Sequence, residues 1–257
     1  AESESTVSMA VEAGRRALAQ TGIRPEELDM IVVSTMSPDA VLPCTACEVQ
    51  KAIGAEGAVC FDLQAACTGF IFAYNTAQAY IQSNMCRTVL LIGSERLSRL
   101  VDWTDRGTCI LFGDGAGAAV LKAAEGRAYL PVSHSDGKKG EALTCDRYIH
   151  MDGRAVFQFA VTRVPEVIRE VLTKNELLMD DVDYFVLHQA NRRIVEAVAK
   201  RLRQPIEKFP MNLQEYGNTS SASIPILLDE MNRSGKLKKG QKLVVAGFGA
   251  GLSWGAS

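Results

Sequence analysis

The stretch GAVCFDLQAACTGFIFAYNTAQAYIQSN, residues 57–84, decides how the rest of the chain is read. Val59 to Leu63 is a short run rich in β-branched and aromatic residues, which predicts a strand, and Thr68 to Gln82 is long and apolar enough for a helix buried on most sides. Cys67 stands at the hinge between them. A cysteine at the first turn of a helix meets unpaired backbone N–H groups and the positive end of the macrodipole, and both favour thiolate over thiol. That placement suits a nucleophile. The competing reading is a core cysteine, since free cysteine is among the most buried residue types.

Outward from this hinge the chain alternates. Thr6 to Thr21 predicts an amphipathic helix, Met30 to Ser34 a strand and Thr45 to Ile53 a helix, all before the strand and helix around Cys67. Val89 to Gly93 predicts another strand, and the glycine-bearing run Cys109 to Leu121 predicts two strands around a tight turn. Phe157 to Lys174 repeats the opening helix and Tyr184 to His188 the first strand. The pattern is α/β throughout.

The 257 residues, 47% hydrophobic and 23% charged, can bury a substantial core as one large domain or two halves. A net charge of -2 gives no global basic field for nucleic acid. No apolar run is long enough to span a membrane, and AESESTVSMA has neither the basic nor the apolar part of a signal peptide. The seven cysteines are odd in number and lie mostly in apolar surroundings, which suits a reducing, cytoplasmic compartment. Cys44 and Cys47 form a CxxC, yet no second CxxC follows and the chain has three histidines, so no metal is expected there. FGDGAGA lacks the Lys-Ser/Thr pair of a phosphate loop, and its glycines read as close backbone packing.

Spacing then reveals a repeat. LDMIVVS matches VDYFVLH, VLLIGS matches LVVAGF, and Cys67 falls opposite Ser221 in GNTSSASIP; the separation is 154 residues in each case (34 to 188, 93 to 247, 67 to 221). Two similar halves, 1–125 and 126–257, explain three landmarks at one offset, and their strand ends would converge on one site. His188 ends its strand and Asn218 precedes the helix that corresponds to the Cys67 helix. Singly they read as a structural histidine and a turn or cap residue. Together with Cys67, at matching strand and helix ends, they read as a site.

With those blocks in place, the chain resembles the β-ketoacyl-[acyl-carrier-protein] synthase III family, with the thiolase fold of two similar halves in a layered αβαβα arrangement. The likeness rests on AACTGF, DWTDRGT, LFGDGAGA, MDGRAVF, HQANRRI, GNTSSASIP and GFGAGLSWG, in that order. It implies a decarboxylative condensation of an acyl-CoA starter, acetyl-CoA in the first instance, with malonyl-acyl-carrier protein. Cys67 would carry the acyl group and His188 with Asn218 would promote decarboxylation. The backbone N–H groups of Cys67 and Ala250 would form the oxyanion hole. The resemblance further implies CoA and acyl contacts at Arg106, Leu42, Phe157 and Phe248, with Phe248 beside the thiol, and carrier-protein docking at Arg193, Lys200 and Arg201. It implies a homodimer, no cofactor beyond the CoA thioester and no metal.

Against the family pattern, the opening strand and a tryptophan-bearing segment are absent before Ala1, the loop near Cys145 to Arg147 is short and the tail stops early at Ser257. Segments are therefore expected to be missing at those places. A related condensing enzyme of secondary metabolism, with another starter or acceptor, is the alternative reading. A non-catalytic partner subunit is disfavoured because Cys67, His188 and Asn218 are all present. Leu42 matches the position that reaches across the dimer and closes the acyl pocket. Leu42→Phe should narrow the accepted starters towards acetyl in a chain-length panel, and an unchanged profile would remove Leu42 from the pocket wall.

Overall fold

Helix α1 (Thr6–Thr21) opens the fold with a reciprocal cap, Ser8 N–H on Ser5 Oγ and Ser5 N–H on Ser8 Oγ, and closes at Gly22 with φ of 69°. The structure, a computed structural model, describes residues 4–126 and 128–257. The fully buried strand β1 (Met30–Ser34) precedes α2 (Thr45–Ile53), whose Thr45 and Ala46 N–H groups are taken by the Asp62 carboxylate of β2 (Val59–Leu63). A 3₁₀ turn at Ala66–Thr68 leads into α3 (Gly69–Gln82), followed by β3 (Thr88–Glu95) and β4 (Gly115–Lys122). Next come β5 (Val132–Ser135), the hairpin of β6 (Leu143–Cys145) and β7 (Ile149–Met151), and α4 (Gly153–Lys174). The chain then runs through β8 (Tyr184–Leu187), α5 (Arg192–Leu202) and the single turn α6 (Leu213–Tyr216). A second 3₁₀ turn at Ser220–Ala222 opens α7 (Ser223–Arg233), and β9 (Leu243–Gly249) and β10 (Ser253–Ala256) complete the order.

Eight of the described strands form two four-stranded sheets, ordered β2-β1-β3-β4 and β5-β10-β9-β8, and β6 and β7 pair only with each other. In each four-stranded sheet, parallel strands lie together, β1 with β2 and β3 and β8 with β9, and the later strand of the half pairs antiparallel. Alternation along the strands decides what each face meets. Ile31, Val33, Leu90 and Ile92 pack with α1 and α2. Met30, Val32, Val89 and Leu91 pack with α3 and α7, and Val186 and Val245 reach the same two helices from the other sheet. Phe185, Leu187, Val244 and Ala246 pack with α4 and α5. The layers are therefore helix, sheet, helix, sheet, helix, the thiolase-like arrangement expected from the resemblance.

The central layer interlocks the two series. Ala66 (φ 45°) and Ser220 (φ 49°) each open a 3₁₀ turn in the left-handed region, 154 positions apart, and the helices that follow begin at Gly69 and Ser223 with the same separation. The end of each sheet's inner strand presses on the other half's turn. A side chain at Gly93 would place Cβ 2.4 Å from the carbonyl oxygen of Ser221, and one at Gly249 would place it 2.9 Å from the Cys67 nitrogen. Only glycine permits that approach.

Several boundaries move from the sequence expectation, and one element changes kind. Thr68 belongs to the 3₁₀ turn, so α3 starts at Gly69. Helix α4 begins at Gly153 because Asp152 accepts from the N–H groups of Arg154 and Ala155 ahead of the apolar periodicity. Of the two strands expected over Cys109 to Leu121, β4 alone forms. Cys109 to Gly113 is a run of turns: the Cys109 N–H meets the Asp105 carbonyl, and Leu111 and Gly113 exchange backbone hydrogen bonds with Asn218 instead of with a hairpin partner. Gly93→Ala should destabilise the fold by about 1–3 kcal/mol through overpacking, read as a lower denaturant midpoint, whereas a wild-type midpoint would mean that the halves separate easily.

Candidate active site

Cys67 lies in the turn that Thr68 fixes from its side chain: Thr68 Oγ1 donates to the Ala65 carbonyl at 2.7 Å and lies 2.6 Å from Ser253 Oγ of β10. The thiol is buried and borders a cavity of about 40 Å³ that Met36, Phe112, Cys145, Ser220 and Ala250 also line. Burial pushes the Cys67 thiol up to about 12; the Ser220 hydroxyl opposes this and the nearby Glu95 carboxyl adds to it. The thiolate expected from the helix start does not form at rest, because desolvation outweighs the pull of the helix start.

His188 follows directly on β8, which stops at Leu187, one residue short of the strand expected from sequence, and its N–H still meets the Ala246 carbonyl at 2.9 Å. Its ring is buried, edge-on to Phe248 with centroids 5.6 Å apart. Burial lowers it to about 3, so the imidazole is neutral. Nδ1 lies 2.7 Å from Ser223 Oγ, the first side chain of α7, and that oxygen accepts from the Gln189 N–H at 3.3 Å. With the Ser223 hydroxyl donating to Nδ1, the ring proton sits on Nε2. Nε2 is itself buried with no hydrogen-bond partner among the described residues.

Asn218 is held at both backbone ends by the strand-like bridge to Phe112. Its Oδ1 accepts from the Ser220 N–H at 2.9 Å, so the side-chain amide is oriented with Nδ2 as its spare donor. Histidine and cysteine meet across a glycine: a Cβ on Gly247 would come within 3.1 Å of His188 Cβ and 3.9 Å of the Cys67 carbonyl oxygen. Ser220 links the other pair, with its N–H on Asn218 Oδ1 and its side chain lining the same cavity as Cys67.

Sequence reasoning missed Ser220 and Ser223, and it missed Glu95. Glu95 is fully buried at the end of β3, where Oε2 accepts from Ser37 Oγ at 2.6 Å, Met36 N–H at 3.1 Å and Thr35 Oγ1 at 3.3 Å. Oε1 lies 2.8 Å from Ser221 Oγ, so this one carboxyl joins the loop after β1 to the turn of the second half. Burial raises its pKa, against the four hydrogen bonds. A glutamate closing the apolar run VLLIGSE was the available signal.

The remaining expected residues lie around this centre. Ala250 lines the Cys67 cavity, and Phe248 packs on His188. The Arg193 guanidinium lies over the Phe157 ring, 5.6 Å from its centroid, which brings two expected residues from α5 and α4 together. Lys200 and Arg201 are exposed on α5, while Arg192 pairs with Glu196 at 2.7 Å. Arg106 is exposed on a loop shaped by Asp102 and Asp105, which accept from Thr104 and from Gly107 and Thr108. Leu42 is 83% exposed and lines no part of its own chain's Cys67 cavity. Among the described residues no group of three or more His, Cys, Asp or Glu side chains has a metal-holding arrangement, and no helix is long and apolar enough to cross a membrane.

Five layers built from two similar halves, with a buried cysteine, a neutral histidine and an oriented asparagine at their junction, define a thiolase-fold enzyme. The family profile for 3-oxoacyl-[acyl-carrier-protein] synthase III matches residues 61–137, and that for its C-terminal part matches residues 172–257. The chain belongs to the 3-oxoacyl-[acyl-carrier-protein] synthase III family. It is 46% identical to the β-ketoacyl-[acyl-carrier-protein] synthase III of Clostridium acetobutylicum over 98% of this chain and 83% of that one. The crystal structure of 3-oxoacyl-[acyl-carrier-protein] synthase III from Aquifex aeolicus superposes with a TM-score of 0.98 at 44% identity, covering 100% of this chain and 84% of that one. The priming β-ketosynthase of the R1128 polyketide pathway superposes with a TM-score of 0.94 at 37% identity, over 99% and 81% of the two chains.

The protonation state of Cys67 has a direct readout. With the thiol raised to about 12, its thiolate fraction grows about tenfold per pH unit across the alkaline range. Alkylation of Cys67 by iodoacetamide should keep accelerating from about pH 7 to about pH 10, and a plateau below pH 9 would show that burial does not govern the thiol.

Proposed function

We propose that this chain catalyses the initiating condensation of fatty-acid synthesis: an acyl-CoA starter and malonyl-acyl-carrier protein give 3-oxoacyl-acyl-carrier protein, CoA and carbon dioxide. The Cys67 sulfur attacks the starter thioester, the acyl group passes to Cys67, and the thiol proton leaves on CoA. Loss of carbon dioxide from the malonyl thioester then leaves an enolate whose oxygen needs two fixed donors in a dry site. His188 Nε2–H and Asn218 Nδ2–H take that role. The carbanion attacks the acyl-Cys67 carbonyl, the N–H groups of Cys67 and Ala250 hold the resulting oxyanion, and collapse releases the Cys67 thiolate, which takes up one proton from solvent to return to the thiol.

The observation that carries this reading is the pair of uncommitted donors. Ser223 occupies Nδ1 of His188 and Ser220 occupies Oδ1 of Asn218, so Nε2 and Nδ2 are the atoms left to donate, and they are held in place before substrate arrives. A neutral histidine also suits a donor better than a base would, since it keeps its proton at any pH near 7.

Around the centre, Arg106 contacts CoA, Phe157 and Phe248 bound the substrate channel, and Arg193, Lys200 and Arg201 meet the acidic carrier protein. Leu42 closes the acyl pocket of a second copy in a homodimer, a role consistent with its exposure in the single chain. No cofactor beyond the CoA thioester takes part, and the compartment is the cytoplasm. The likeness to a priming ketosynthase of polyketide synthesis favours a second reading, the same chemistry on another starter or acceptor.

The half-reactions separate the roles. His188→Ala and Asn218→Ala should each retain transfer of acetyl to Cys67, seen by mass on its peptide, and lose decarboxylation of malonyl-carrier protein by about 10²–10³-fold. Equal loss of both half-reactions would reject the division of labour, and acylation that survives Cys67→Ala would reject the nucleophile.

A further inference from the structure

The turns at Ala66–Thr68 and Ser220–Ala222 are counterparts in the two halves, and each opens on a left-handed residue, Ala66 with φ of 45° and Ser220 with φ of 49°. Both residues line the cavity beside Cys67. The first half holds this conformation with a methyl group, so the turn itself does not call for a hydroxyl. The second half places one there all the same.

That hydroxyl stands apart from its neighbours. Ser221 Oγ lies 2.9 Å from the Ser34 carbonyl and 2.8 Å from Glu95 Oε1, and Ser223 Oγ lies 2.7 Å from His188 Nδ1. Ser220 is 1% exposed, and its Oγ has no hydrogen-bond partner among the described residues. A buried hydroxyl left unpaired destabilises a fold, and alanine at the matching position shows the alternative, so the group calls for a role outside stability. The Cys67 sulfur borders the same cavity. Of the groups that act on that thiol, the Ser220 hydroxyl is the strongest that pulls it down, against burial and the Glu95 carboxyl.

We propose that Ser220 is a further donor at the reaction centre, its Oγ–H turning onto the Cys67 sulfur whenever that sulfur carries negative charge. The proposal rests on Cys67 as the nucleophile of the condensation above. In acyl transfer the Cys67 sulfur bonds to the starter carbonyl carbon, the bond from that carbon to the CoA sulfur breaks, and the thiol proton ends on CoA. In the final collapse the bond from the Cys67 sulfur to the acyl carbon breaks with its electron pair on sulfur. A charge-assisted hydrogen bond from Ser220 stabilises the charged sulfur in both steps, and Ser220 keeps its own proton throughout. Such bonds are often poorly aligned at rest and tighten in the reaction. Decarboxylation takes place between the two steps, with the sulfur acylated and uncharged, and does not draw on this hydroxyl.

Ser220→Ala tests the assignment, because it removes the hydroxyl and keeps the backbone N–H that orients Asn218. Its denaturant midpoint should equal or exceed that of the wild type. Alkylation of Cys67 by iodoacetamide at about pH 8, read by peptide mass, should slow by about 3–10-fold, since fewer thiolates form while each is somewhat more nucleophilic. Acetyl transfer from acetyl-CoA should slow with it, whereas decarboxylation of malonyl-carrier protein without a starter should keep its wild-type rate. That split is the reverse of the one expected for His188→Ala and Asn218→Ala. Ser220→Gly, which adopts the left-handed turn without strain, should give the same result if alanine disturbs the turn. Alkylation and acetyl transfer at wild-type rates in both variants would overturn the proposal. So would an equal loss of decarboxylation, which would make Ser220 a support for Asn218 alone. Alkylation involves neither substrate, so slowed alkylation beside a wild type that does not condense would sustain the role of Ser220 and reject the condensation instead.

Discussion

The turn that presents Cys67 can sit where it does because Gly249 has no side chain. Its backbone lies so close to the Cys67 nitrogen that a single methyl group would collide, and Gly93 stands in the same relation to the Ser221 carbonyl on the opposite side. Each half thus closes the other. Ala66 and Ser220 adopt left-handed conformations that a non-glycine residue holds only at a cost of about 1–2 kcal/mol. The reciprocal contact between strand ends and turns over-determines both conformations. Remove that contact, and neither the thiol nor the asparagine amide has a fixed direction.

Dryness follows from the same interlock and sets the protonation states. Histidine and cysteine are both neutral at rest, the first lowered and the second raised by loss of water. Among the described residues no ion pair orients His188. A serine on each side, Ser223 at the imidazole and Ser220 at the amide, does the orienting with single hydrogen bonds. Glu95 adds a buried tie between the halves, in a place where an unsatisfied carboxyl would cost several kcal/mol.

Much of this was legible in the residues. The bounds of α1, β1, α2 and β2 stand where apolar periodicity and the β-branched and aromatic runs put them, and the structure adds the Ser5 cap and the left-handed stops at Gly22 and Gly54. Cys67 stands out at its strand–helix hinge, and the 154-residue offset places His188 at a matching strand end and Asn218 just before the matching helix. The run Cys109 to Gly113 misled because its backbone partner is Asn218, far away in sequence, and periodicity sees only near neighbours. Ser220, Ser223 and Glu95 stayed hidden for a related reason: a serine in a turn and a glutamate after a strand carry no mark of what they will touch. The thiol's protonation was misread because the helix start is visible in sequence and the depth of burial is not.

The long separation of the site's parts also bears on how the protein is made. Thr68 meets Ser253 across 185 residues, so the environment of Cys67 is completed only when β9 and β10 have been synthesised and paired. Until then Cys67 is an unshielded thiol of ordinary acidity, near 8.5. It is more ionised, and more open to stray alkylation or oxidation, than the same atom in the finished fold. Completion of the fold thus quiets the nucleophile, and the nascent chain passes through its most vulnerable period before the enzyme has any activity to lose.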